Sequence, residues 1–86
     1  MNTIKLYETD SMLCRFECRV TSCEKQDDNY KITLDQTAFF PEGGGQPGDK
    51  GFIADAQVLD TVEKDGEVYH ICDKAVALGN ADCKLD

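Results

Sequence analysis

From residue 14 to residue 21 apolar and polar side chains alternate one for one. Cys14, Phe16, Cys18 and Val20 fall on one side, and Arg15, Glu17, Arg19 and Thr21 on the other. A period of two fits an extended strand with one face in a core and the other in water. The pattern returns in Tyr30, Ile32 and Leu34 against Lys31, Thr33 and Asp35, after a polar turn from Lys25 to Asn29. These two runs predict a hairpin. Ile4, Leu6 and Tyr7 predict a short first strand, Phe52 to Ala54 another, and Val58 to Val62 a third. Asp65-Gly66 matches a two-residue hairpin turn whose central positions both need φ > 0. Pairing about it sets Val62 opposite Tyr69 and Asp60 opposite Ile71. The expected inward face is then Val58, Val62, Tyr69 and Ile71. Gly79-Asn80 reads as a turn, and Ala81 to Leu85 as a last strand cut short by the chain end. Ala75 to Leu78 is long enough for one helical turn, but no window carries a sustained 3.6-residue apolar stripe.

The expected fold class is therefore all-β. Six or seven short antiparallel strands in 86 residues suit a small closed barrel, which leaves no exposed sheet edge. The length allows a single domain, residues 1–86, with a modest core.

The hairpin pattern is interrupted once, by LDQTAFFPEGGGQPGDKG from Leu34 to Gly51. Gly43, Gly44 and Gly45 have no Cβ and can lie close to another surface. Pro41 and Pro47 stiffen the shoulders, and Phe39 and Phe40 offer an apolar anchor. The plain reading is a turn between strands. No Gly-Lys-Ser or Gly-Lys-Thr follows, so this is not a Walker loop. The spacing also differs from G-x-G-x-x-G, so it is not a dinucleotide fingerprint. Gly44-Gly45-Gln46 spells the tripeptide of peptide-chain release factors, but its neighbours Glu42 and Asp49 are acidic rather than basic.

The same stretch, continuous from Leu34 through Gly51, resembles the glycine-rich signature of alanyl-tRNA synthetases and of the freestanding AlaX editing proteins. The resemblance implies a barrel similar to the second domain of translation factors, carrying a glycine-rich loop over residues 41–51. It implies that Thr37, Gly43, Gly44, Gly45 and Gln46 lie near the 3′ end of alanine tRNA, beside the site where seryl or glycyl esters are hydrolysed. The His-x3-His pair and the later cysteine and histidine of that zinc site are not in this sequence. The chain is thus expected to be an inactive fragment with no catalytic or metal residue of its own, zinc belonging to a following editing domain that would be its intramolecular partner. The alternatives are a stand-alone interaction barrel and a release-factor-like loop.

Composition narrows the partners. Seventeen acids against nine bases give a net charge of −8, the wrong sign for phosphate-driven binding. Positive surface for tRNA is therefore expected outside this chain. No apolar run reaches the roughly 20 residues of a membrane span, and MNTIKLYETD has no signal-peptide core. The five cysteines, Cys14, Cys18, Cys23, Cys72 and Cys83, predict free thiols in a reducing cytoplasm. Cys14 and Cys18 would lie about 13 Å apart on one strand, too far to share a zinc ion, and Cys23 has the opposite strand parity. His70, the only histidine, is expected at the surface beside Thr61.

Overall fold

A computed structural model describes residues 4–8, 13–43, 45 and 47–85. Among them lie eight strands: β1 (Ile4–Lys5), β2 (Arg15–Gln26), β3 (Asn29–Leu34), β4 (Gln36–Thr37), β5 (Gly51–Ile53), β6 (Ala56–Lys64), β7 (Glu67–Cys72) and β8 (Gly79–Leu85). The only helical element described is a single 3-10 turn, Leu6–Glu8. Six strands close into an antiparallel barrel in the order β2-β3-β7-β6-β5-β8. The all-β barrel expected from the alternation is therefore present. β1 and β4 stand apart as a small parallel pair, Ile4 opposite Gln36 and Lys5 opposite Thr37.

β2 serves two neighbours. Its first half, Arg15 to Val20, pairs with β8, and its second half with β3. The change of partner falls at a bulge, where Val20 and Ser22 face consecutive residues Leu34 and Thr33, leaving Thr21 as the extra residue. A bulge bends its strand and increases local twist, which a barrel this narrow needs in order to close. β8 pairs along its length with β2 and through its last three residues with β5. It is a full seven-residue strand that shuts the barrel, and Gly79-Asn80 is its start rather than a turn. No helical turn forms at residues 75–78, which lead into β8 as irregular chain.

The β6–β7 hairpin turns at Asp65-Gly66 with φ of 54° and 83°, and the predicted pairs Val62–Tyr69 and Asp60–Ile71 are present. The predicted inward face is not. Val58, Thr61, Val68, His70 and Cys72 point inward, while Val62, Tyr69 and Ile71 are only half-buried. The reason is a second bulge. Val58 faces Cys72 but Asp60 faces Ile71, so Leu59 is inserted and the inward parity of β6 flips beyond it. Paired residues share a face, so the flip carries over to β7: Thr61 turns inward with His70, and Val62 turns outward with Tyr69.

The core is built from Phe16, Cys18 and Val20 of β2, Ile32 and Leu34 of β3, and residues facing them from the other strands. Phe39 joins it from outside the barrel strands. It is wholly buried, edge-on to Phe16 at 5.7 Å and to the His70 ring at 5.3 Å. Burying such a ring contributes about 1.5–3 kcal/mol, enough to pin the chain where the glycine-rich segment begins. Cys23 packs against the core, because the bulge at Thr21 reverses the parity that would have separated it from Cys18.

Candidate functional site: a glycine-rich loop fastened to a bulge

The segment from Phe40 to Asp49 is a loop closed at its neck. The Phe40 N–H donates to Asp49 Oδ2 at 2.9 Å, and the Asp49 N–H donates to the Phe40 carbonyl at 2.9 Å. Its two arms are then bonded to β6. The Glu42 N–H donates to the Thr61 carbonyl at 2.8 Å on one arm. On the other, the Gly48 N–H donates to Asp60 Oδ1 at 3.1 Å, and the Thr61 hydroxyl donates to the Asp49 carbonyl at 2.8 Å.

Both acceptor positions depend on the β6 bulge. Asp60 sits immediately after the inserted Leu59, and its Oδ1 also accepts the N–H of Thr61 at 2.9 Å. Re-aiming a side chain is a common use of a bulge. The arms lie so close to the strand that position 48 admits only glycine. A Cβ there would stand 2.3 Å from the Thr61 carbonyl oxygen and 2.6 Å from the Thr61 nitrogen.

The tip is the opposite case. No atom of the described residues lies within 4 Å of a Cβ built at Gly43 or Gly45, and Gly45 has a φ of +84°. Glu42, Gly43, Gly45 and Pro47 line a shallow concavity there. Of the five candidate positions, Gly43 and Gly45 are exposed at this tip. Gly44 and Gln46 fall outside the described residues, and with them most of the Gly-Gly-Gln tripeptide.

Thr37 is elsewhere, wholly buried in β4 beside His70. The expected surface position of His70 is corrected by the same finding: its exposure is 0%. It does pair with Thr61, as the register required, but the bulge turns Thr61 inward too. The hydrogen bonds define the proton positions. His70 Nδ1 lies 2.9 Å from the Ile32 carbonyl, which can only accept, so Nδ1 carries the proton. Nε2 is then the acceptor and takes the Thr37 hydroxyl proton at 2.8 Å. Thr37 Oγ1 in turn accepts the Phe39 N–H at 3.1 Å. Burial lowers the His70 pKa from 6.5 to about 4, outweighing the Ile32 carbonyl, which favours the protonated ring. The ring is therefore neutral at pH 7, and this chain of bonds runs from β3 to the residue just before the loop neck.

Sequence reasoning missed three residues of this arrangement: Asp60, Thr61 and His70. The only cue was the Thr61–His70 pairing implied by the Asp65-Gly66 turn.

Among the described residues no group of three or more His, Cys, Asp or Glu is placed to hold a metal ion. His70 has both ring nitrogens engaged. All five cysteines are free. The Cys18 and Cys83 sulfurs lie 3.3 Å apart, and burial raises the Cys72 pKa to about 12, with smaller contributions from Asp73 and Cys23. Burial therefore keeps the Cys72 thiol protonated at pH 7. No helix among the described residues is long and apolar enough to cross a membrane.

A second concavity lies between β2 and β8, lined by Glu17, Arg19, Asp35, Asn80 and Asp82 among others. Its carboxylates are partly used by the fold, Asp35 Oδ1 accepting the Arg19 N–H at 2.8 Å.

Comparison with known proteins bears directly on the loop. The family model for class II (A) tRNA synthetases matches residues 5–82. The alanyl-tRNA editing protein AlaX-M of Pyrococcus horikoshii is 44% identical over 70 residues, 80% of this chain and 31% of its own length. AlaX-L of the same organism is 41% identical over 71 residues, 78% of this chain and 18% of its own. The alanine–tRNA ligase of Sulfurisphaera tokodaii is 44% identical over 85 residues, 93% of this chain and 9% of the ligase. The chain thus spans less than a third of each of these relatives. With its barrel, its glycine-rich loop and these matches, the chain belongs to the class II (A) tRNA synthetase family, as an AlaX-type N-terminal barrel domain.

Proposed function

We propose that this barrel is a positioning domain for alanyl-tRNA editing. It holds the glycine-rich tip beside an aminoacyl-tRNA deacylase site that another domain supplies. The observation that carries this reading is the contrast within one loop. The arms are fastened to β6 by backbone and Asp60 hydrogen bonds, while Gly43 and Gly45 stand in open space. A fixed support under a tip without side chains suits close approach to an acylated 3′ end. Gln46 adds a side chain able both to donate and to accept hydrogen bonds.

The reaction served is hydrolysis of seryl or glycyl esters misplaced on alanine tRNA. In this reading the barrel is catalytically inert by itself. Zinc and its activated water reside in the editing domain, the intramolecular partner, and the whole works in the cytoplasm. The relatives named for alanyl-tRNA editing and ligation support the substrate class. The competing reading, an interaction barrel without a role in editing, draws on the exposed side chains of Phe52 and Leu78.

A chimera separates the two. This chain replaces the matching segment of the 44%-identical AlaX-M, and deacylation of seryl-tRNA(Ala) is followed. The editing reading expects the chimera to work, and a Gly43→Val, Gln46→Ala version to lose rate or serine-over-alanine selectivity. Equal rates and selectivity in both versions would remove the loop from the reaction.

A further inference from the structure

The two adjacent phenylalanines at the loop neck have opposite fates. Phe39 is wholly buried, whereas Phe40 is 57% exposed. An exposed phenylalanine on a mobile loop would mean little. Phe40 is instead held at both of its backbone polar groups, its N–H donating to Asp49 Oδ2 and its carbonyl accepting the Asp49 N–H. Its ring is further fixed by Tyr7, with centroids 4.8 Å apart and planes tilted by 59°. The result is an oriented aromatic surface on the same ten-residue loop as the open glycine tip.

We propose that Phe40, supported by Tyr7, is a stacking surface for a nucleobase at the single-stranded 3′ end of the RNA whose ester faces the glycine tip. The inference rests on the functional reading above and adds the contact that would orient the RNA. A base is the occupant that best matches the chemistry on the page. It is flat and apolar on its face, and stacking on an aromatic ring works for any base and without positive charge. That last point matters here. With a net charge of −8 and Glu42 and Asp49 on the loop itself, the chain is poorly suited to gripping phosphates, so a contact to the base is the one left to it.

The test uses the 86-residue chain and a short RNA ending in CCA, with 2-aminopurine as the terminal base, at low salt. Stacking quenches 2-aminopurine fluorescence, and one aromatic stack changes affinity by roughly 5- to 150-fold. Wild type is expected to quench saturably. Phe40→Leu keeps an apolar side chain but loses the ring, and should weaken binding at least fivefold and abolish the quench. Phe40→Tyr should retain both. Thermal melts of the variants control for folding, since Phe40 lies outside the core. Equal quenching and affinity in wild type and Phe40→Leu overturns the proposal, as does the absence of any quench with wild type. The editing reading is judged separately by the AlaX-M chimera. A working, Gly43-sensitive chimera with no Phe40 effect would refute the stacking surface alone, and a Phe40-dependent quench in a chain whose loop does not affect editing would refute the loop's role alone.

Discussion

Three glycines of one loop should respond very differently to alanine, and Gly48 is the decisive one. A Cβ at Gly48 would sit 2.3 Å from the Thr61 carbonyl oxygen, against the 3.0 Å below which real contacts essentially never fall. The arm and β6 must therefore separate by about 0.7 Å or more, because the two nearest atoms are Thr61 backbone and only the third, Asp60 Oδ1 at 2.7 Å, belongs to a side chain. Three hydrogen bonds cross this contact: Gly48 to Asp60, Thr61 to Asp49 and Glu42 to Thr61. At about 0.5–1.5 kcal/mol each, with overpacking of about 1–3 kcal/mol as the competing route to relief, Gly48→Ala should cost about 2–4 kcal/mol. That is a large share of the roughly 4–13 kcal/mol available to a domain this size. Gly43→Ala meets nothing within 4 Å and should stay within about 0.5 kcal/mol of wild type. Gly45→Ala meets nothing either, but its φ of +84° makes it intermediate, about 1–2 kcal/mol. Urea unfolding monitored by circular dichroism measures all three. Gly48→Ala is expected to lower the midpoint by more than about 1 M at unchanged slope. Equal midpoints for Gly48→Ala and Gly43→Ala would show that the loop is not fastened to β6.

Two further outcomes concern the buried pair. The folded-state pKa of His70, about 4, lies below its unfolded value of 6.5, so the unfolded chain takes the proton first as pH falls. The stability this confers is full above pH 6.5 and is lost progressively down to about pH 4, roughly 3 kcal/mol in all. Comparing stability against pH for wild type and His70→Gln cancels the carboxylates common to both, and parallel curves would contradict a buried neutral histidine. Thr37→Val keeps the shape but strands His70 Nε2 and the Phe39 N–H inside the protein. It should cost about 2–4 kcal/mol in thermal unfolding, while Thr37→Ser, which keeps the hydroxyl, should recover most of it.

The alternation in residues 14–21 and 30–35, the missing helical stripe and the Asp65-Gly66 turn were sufficient for an all-strand barrel and for the β6–β7 register. They are local signals, since side-chain period and turn chemistry need no knowledge of the rest of the chain. The run from Leu34 to Gly51 likewise declared its family. What remained hidden was which face of β6 and β7 looks inward. That depends on one inserted residue, Leu59, and a bulge has no reliable signature in a single strand, because it is defined by the partner across the ladder. Without it, His70 and Thr61 read as outward-facing and Asp60 does not stand out as the loop's anchor. Local sequence determined that there would be strands and a glycine tip. Only closure of the barrel, by fixing how strands distant in sequence register, decided what the tip is bonded to and where its one histidine lies.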